Sequence, residues 1–188
     1  MIRLFVALII PEEIKKQIAL VRNQIYPAAD NLKWEEDSKI HLTLKFIGEV
    51  KEDLVEAIKH ELNFLENFKK IDCTAVNFGF FFKEKNEPRI LWLGLKIEDL
   101  VYTIVEELNH RLAKFSIPVE KRKFKAHLTL LRVKQKVTRN FIDKFSSAEF
   151  PNINFAANEI VLMQSTLTSQ GSMYKEIKKY YLNESEEK

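Results

Sequence analysis

Lys39-Ile40-His41-Leu42-Thr43-Leu44-Lys45-Phe46 and Lys125-Ala126-His127-Leu128-Thr129-Leu130 each contain the tetrapeptide His-Leu-Thr-Leu. Side chains on a β-strand point alternately to opposite faces. Read this way, His41, Thr43 and Lys45 share one face, and Leu42, Leu44 and Phe46 the other. His127 and Thr129 likewise stand opposite Leu128 and Leu130. Each strand therefore offers an apolar side to a core and leaves a polar side for chemistry.

Around these strands the pattern is one of alternating elements. Residues 1–10 form an apolar run that reads as a buried strand. The run is too short for a secretory signal, meets Pro11-Glu12-Glu13, and lacks a small-residue cleavage site. A helix follows, with Pro11 suited to its start, Glu12 and Glu13 to its positive end, and Ile14, Ile18, Val21 and Ile25 as its inner stripe. Pro27 and Asp30-Asn31 close it. The first His strand ends at Gly48. A second helix is expected over 52–66, with Leu54, Ile58, Leu62 and Leu65 inward. A strand over 71–82 should place Val76, Phe78, Phe80 and Phe82 on one side. The order then recurs: a strand at 89–95, a helix over 98–115, the second His strand and a helix carrying Phe141, Ile142 and Phe145. Strands near 160–163 and 174–182 follow, and the acidic tail at 184–188 is expected to fray.

The two halves keep step. The histidines stand 86 positions apart, and the same offset carries Arg3 to Arg89 and Glu12 to Glu98. We expect one domain spanning 1–188, built from an internal repeat of roughly 1–85 and 87–171. A pseudo-two-fold between the halves would bring both His strands to one central groove.

Composition narrows the function classes. The 188 residues carry 30% charged and 46% hydrophobic side chains and a net charge of +3. That is an ordinary globular balance that permits an anionic partner. A single cysteine, Cys73, excludes an internal disulfide, and four histidines give no zinc-type spacing. No stretch approaches membrane-spanning length. A cytoplasmic monomer without a metal or other cofactor is expected, and Cys73 reads as a small buried residue.

Imidazole titrates near neutrality, so of two facing copies one can act as acid and the other as base. Thr43 and Thr129 set a hydroxyl beside each ring, able to donate to an anionic oxygen. Two imidazoles and two hydroxyls on one groove make a place for a tetrahedral anion such as phosphate. A lone His on a strand is more often structural; the matched pair points to catalysis. His60 and His110, on helices away from the motifs, read as structural or exposed. Lys121-Arg122-Lys123-Phe124-Lys125, leading into the second motif, suits a nucleic-acid backbone and equally a solvated loop. Phe5, Trp34, Phe81, Trp92 and Tyr174 could each stack a base, although most aromatic residues belong to the core.

The paired His-x-Thr motifs, Arg3-Leu4-Phe5, Pro88-Arg89-Ile90-Leu91-Trp92, and Ser165-x-Leu167 with Gly171 and Tyr174 resemble the 2H phosphoesterases. The nearest branch is the RNA 2',3'-cyclic phosphodiesterases, also called 2'-5' RNA ligases. The resemblance implies a bilobal α+β fold, with two antiparallel sheets flanking a central cleft and helices outside. It implies metal-independent hydrolysis of a 2',3'-cyclic phosphate end, on RNA, oligoribonucleotides or free nucleotides, to a 2'-phosphomonoester. His41 would be the proton donor to the departing 3'-oxygen, His127 the acceptor that activates water, and Thr43 and Thr129 holders of phosphate oxygens. Arg132 matches the family's second-motif arginine and is the candidate phosphate clamp. Strict alternation puts it on the wrong face, so a bulge or strand end is required there. Lys45 reads as either a second contact to the anion or a solvated lysine. Ala126 departs from the pattern the resemblance implies, since that family usually has proline before the second histidine. Two further accounts stay open: 2'-5' ligation by the reverse chemistry, and RNA or nucleotide binding without turnover.

Overall fold

In the computed structural model, which describes residues 1–27, 32–84, 87–169 and 171–184, eight strands and four α-helices follow one another in chain order. They are β1 (Ile2–Ile9), α1 (Glu12–Ile25), β2 (His41–Val50), α2 (Val55–Glu61), β3 (Ile71–Glu84), β4 (Glu87–Ile97), α3 (Asp99–Leu112), β5 (His127–Arg132), α4 (Arg139–Ser147), β6 (Ile153–Ala157), β7 (Glu159–Thr168) and β8 (Gly171–Tyr181). Short 3₁₀ turns flank α2 and extend α3, so the stretch expected to be one helix over 52–66 changes geometry along its length. Asp30-Asn31 and the tail beyond Glu184 lie outside the described residues. Strand β6, with Pro151 just before it, escaped the sequence reading.

All strands join one curled antiparallel sheet, ordered β6-β3-β4-β5-β2-β1-β7-β8. Two four-stranded arrays, β6-β3-β4-β5 and β2-β1-β7-β8, meet at its centre through a single register pair, Leu42 opposite Leu128. β3 pairs with β4, which follows it in the chain, and β7 returns to β1. The first array thus takes β3 from the first half of the chain, and the second takes β7 and β8 from the second half.

The helices cover one face. Ile14 and Ile18 of α1, Ile58 of α2, Phe141 and Phe145 of α4, and the stripe Val101, Ile104, Val105, Leu108 and Leu112 of α3 are buried against that side of the sheet. Each fully buried side chain of this kind contributes roughly 1.5–3 kcal/mol. Thr138 caps α4, its hydroxyl accepting from Phe141 N at 3.2 Å. Leu42, Leu44, Leu128 and Leu130 face this core, as their alternation predicts. The opposite face is left for the histidines.

Alternation does not run unbroken. Between β1 and β2 the register jumps, Ala7 facing Thr43 and Val6 facing Lys45, so Leu44 is an extra residue. Between β4 and β5 the same jump occurs, Trp92 facing Thr129 and Leu91 facing Leu131, making Leu130 extra. A bulge re-aims every side chain beyond it. Lys45 therefore turns away from the His41 face to a buried position. Its Nζ donates to Asn109 Oδ1 at 2.7 Å and to the Pro118 carbonyl at 2.6 Å. It is neither an anion contact nor a solvated lysine, and burial lowers its pKa. Phe46, expected on the core face, turns out to the other side and is 69% exposed. A further bulge makes Val76 the odd residue of β3, so Ile71, Cys73 and Ala75 carry the buried face on to Phe78.

Removing the Lys45 ammonium deletes two charge-assisted hydrogen bonds that tie β2 to α3 and the loop after it. Lys45→Ala should lower the free energy of unfolding by about 2 kcal/mol, measured by urea denaturation. A loss below about 0.5 kcal/mol would show that the buried ammonium contributes no net stability.

Candidate active site

The sheet geometry assembles the site from the Leu42–Leu128 pair outward. Antiparallel register about that pair sets His41 beside Thr129 and Thr43 beside His127, all four on the face away from the helices. The duplicated bulge then returns Arg132 to this same face, as its candidate role required, and it is exposed there.

Both histidines are held alike. His41 Nδ1 donates to the Lys39 carbonyl at 2.7 Å, and His127 Nδ1 donates to the Lys125 carbonyl, also at 2.7 Å. A carbonyl only accepts, so each neutral ring carries its proton on Nδ1 and presents a bare Nε2. His41 Nε2 lies 3.1 Å from Thr43 Oγ1, whose hydroxyl donates to it. Ala126, where the resemblance led us to expect proline, is buried, and its carbonyl accepts from Leu95 N at 3.1 Å. The entry to the second strand is anchored without the proline.

Aromatic rings wall both imidazoles. Phe5 stacks on His41 at 5.0 Å and Tyr174 meets it edge-on at 5.5 Å. Phe81 meets His127 edge-on at 5.0 Å, with Trp92 beyond at 6.5 Å. Trp92 lies flat across β3 because residue 79 is glycine; a Cβ there would fall 2.3 Å from the indole. Lys125 Nζ covers the Trp92 face at 4.0 Å. Burial is the main cause that lowers both imidazole pKa values, taking His41 down to about 4. The charges of Arg132 and His127 add to the effect on His41, and those of Lys125 and Arg132 to that on His127.

A groove of about 1020 Å³ opens over His41, Thr43 and Arg132. His127 and Thr129 lie on the neighbouring strand, beside that lining rather than within it. Six cationic side chains line the groove (Arg3, Lys33, Lys39, Arg89, Arg132 and Lys134) against two carboxylates. Both carboxylates are engaged by the groove's own cations: Glu35 holds Arg132 Nε at 3.1 Å, and Glu36 holds Lys39 at 2.8 Å. Sequence reading missed Glu35. Its amide donates to the Leu130 carbonyl at 2.9 Å and the preceding Trp34 bridges Leu131, so it runs alongside the bulge. No spacing rule links residues so far apart in the chain.

His60 and His110 are exposed on helices, and Cys73 is buried, its thiol pushed up to about 12 by that burial. Arg122 pairs with Glu120, leaving Lys125 as the member of the basic block that reaches the site. Among the described residues, no three or more His, Cys, Asp or Glu are gathered as a metal would need, and no helix is long and apolar enough to cross a membrane.

The profile of the LigT like Phosphoesterase family matches residues 8–92 and 95–174. The RNA 2',3'-cyclic phosphodiesterase of Methanocaldococcus jannaschii is 34% identical over 95% of this chain and 99% of its own. The Thermotoga maritima protein of the same name is 33% identical, over 92% of this chain and 91% of its own. Among solved structures, TT0787 of Thermus thermophilus superposes with a TM-score of 0.79 at 22% identity, over 97% of this chain and 99% of that one. E. coli LigT complexed with 3'-AMP gives 0.77 at 23% identity, with the same coverage. These likenesses carry the fold, α+β on a curled antiparallel sheet.

The buried His41 has a stability consequence with a definite sign. An unfolded imidazole titrates near 6.5, whereas the folded ring does so at about 4. Between those values the unfolded chain binds the extra proton. Stability is therefore complete above pH 6.5 and is lost as pH falls toward 4. Unfolding free energy should drop by about 1 kcal/mol from pH 7 to 5.5, and His41→Asn should remove much of that drop. An unchanged slope in the variant would assign the loss to other groups.

Proposed function

The chain belongs to the LigT-like phosphoesterase family, and on that premise we propose that it hydrolyses 2',3'-cyclic phosphate ends of RNA or nucleotides to 2'-phosphomonoesters. The observation that carries this reading is the pairing of two His-x-Thr faces across Leu42–Leu128. The names of its relatives point the same way. We read residues 1–188 as one domain whose halves, 1–85 and 87–171, repeat, acting as a cytoplasmic monomer.

The groove receives the anion by charge, with Arg132 as the clamp and Thr43 and Thr129 donating to phosphate oxygens. Glu35 holds the Nε edge of Arg132, leaving the rest of the planar fork for bidentate contact. Water attacks phosphorus as the P–O3' bond breaks. His127 Nε2 accepts the proton from water, and His41 Nε2, protonated, delivers one to the departing 3'-oxygen. The products are a 2'-phosphate and a free 3'-hydroxyl, and the two imidazoles have exchanged protonation states. Proton transfers of this kind contribute about 10²–10⁴-fold each. The Nδ1–carbonyl bonds keep each Nε2 aimed at the groove through both states. No step calls for a metal.

Incubation with an oligoribonucleotide ending in a 2',3'-cyclic phosphate should yield the 2'-phosphate, at a rate that EDTA leaves unchanged. His41→Ala and His127→Ala should each cut kcat/KM by about 10²–10⁴-fold without unfolding the protein. Near wild-type turnover in both variants would sink the assignment. Nucleotide bound but unchanged over time would point instead to a binding module.

The pH profile gives an independent check. Productive chemistry needs one imidazole protonated and one bare, a state that peaks between their two pKa values. Since burial lowers both, kcat/KM should be bell-shaped with its maximum on the acid side of 6.5. The kcat maximum should lie at higher pH, because the bound phosphate favours imidazolium.

A further inference from the structure

The groove's two carboxylates are not spread evenly among its six cations. Arg3, Lys33, Arg89 and Lys134 have no carboxylate partner among the described residues. Glu35 and Glu36 instead engage Arg132, the candidate clamp, and Lys39, whose carbonyl holds His41. A groove shaped only to attract anions would leave its clamp with a full charge. Here positive charge is offset at the phosphate position and kept elsewhere in the lining.

The two carboxylates differ in how firmly they are held. The Glu36 side chain is 68% exposed, so solvent screens its charge. That of Glu35 is 18% exposed, and several contacts fix it. Its amide donates to the Leu130 carbonyl, and the preceding Trp34 bridges to Leu131. The Trp34 ring packs on Phe141 and Phe145, with the Arg22 guanidinium over its face at 4.7 Å. A carboxylate held this way stays in place when a ligand arrives. A phosphate taken on the free edge of Arg132 would then stand one guanidinium width from a second negative charge.

That repulsion scales with the charge on the ligand. A cyclic diester carries a single negative charge, whereas the phosphomonoester left by its hydrolysis carries about two at pH 8. An unopposed arginine would hold the product more tightly than the substrate. We infer that Glu35 is a charge-state selector, tuning the Arg132 clamp to a singly charged phosphodiester and weakening its hold on a phosphomonoester dianion. The selector rests on the phosphodiesterase reading above, and its consequence for turnover is release of the product.

Glu35→Gln separates the charge from the hydrogen bond, because the amide oxygen still accepts from Arg132 Nε. At pH 8 the variant should bind both ligands more tightly, and the product more so. KM for adenosine 2',3'-cyclic phosphate should fall about threefold and the inhibition constant of 2'-AMP about tenfold, so that progress curves bend earlier. Calorimetry on 2'-AMP makes the product measurement without turnover. Tighter binding is also an outcome that misfolding does not produce. In a variant that melts with the wild type, unchanged affinities would reduce Glu35 to an ordering hydrogen bond and overturn the selector. Weaker binding of both ligands would overturn it too, by making Glu35 a support that Arg132 needs. Equal gains on both would show that ligand charge is not what Glu35 senses, and gains as large in Glu36→Gln would disperse the effect over the groove; each removes the selector. A protein that leaves the cyclic compound intact, yet gains about threefold for it and about tenfold for 2'-AMP in Glu35→Gln, would sink the hydrolase reading and leave the selector standing.

Discussion

Leu42 and Leu128 make the one register pair that joins the two halves of the sheet, and both are completely buried. Their side chains sit in the helix-covered core, so the pair is fixed by hydrophobic burial rather than by a long hydrogen-bonded ladder. Everything polar on the opposite face takes its position from it. A slip of one residue in either strand would drive His41 and Thr43, or His127 and Thr129, into the apolar layer and bring leucines out. The cost of such a slip is of the order of several buried side chains. The site is therefore held in register by the core beneath it, which leaves the groove face free to carry charges that contribute little to stability.

The bulges are the second constraint. Without them, Lys45 would stand beside His41 and Arg132 would point into the core. With them, the lysine becomes a buried tie between β2 and α3, and the arginine reaches the groove. One extra leucine in each strand thus moves a cation out of the site on one side and into it on the other. An identical backbone device applied to different residues breaks the symmetry of the site while the two imidazoles keep matching Nδ1–carbonyl hydrogen bonds.

Much of this could be read from the sequence, because period-two alternation is a local signal. The strand character of both His-Leu-Thr-Leu segments, the faces of their leucines, and the inner stripes of α1 and α3 follow from spacing alone. The need for a bulge before Arg132 was also legible, from the conflict between its role and its parity. Its counterpart at Leu44 was not, since Lys45 and Phe46 are acceptable on either face of a half-buried strand until the register is known. Val76 failed for the same reason. Strand order was hidden too: β6 sits beside β3 and β7 beside β1 through long-range pairing that no periodicity encodes. Glu35 shows the same gap at the site, since it reaches Arg132 by running along the bulge.

On the proposed mechanism, the burial that lowers both imidazole pKa values looks at first like an obstacle, since the acid assigned to His41 must be protonated and burial takes that ring down to about 4. In that mechanism the ligand would supply the missing charge. A phosphate anion held as proposed among Arg132, Thr43 and the two rings would introduce the negative charge that makes imidazolium favourable, in surroundings where aromatic walls keep the dielectric low and the interaction strong. Arg132, whose charge adds to the burial that lowers both rings, would in the proposed complex hold the anion that reverses the effect. Protonation of the proposed acid would in this way be coupled to occupancy. Keeping one ring bare while the other is charged then falls to their unequal surroundings: Thr43 and the Phe5–Tyr174 wall around His41, Lys125 and the Phe81–Trp92 wall around His127.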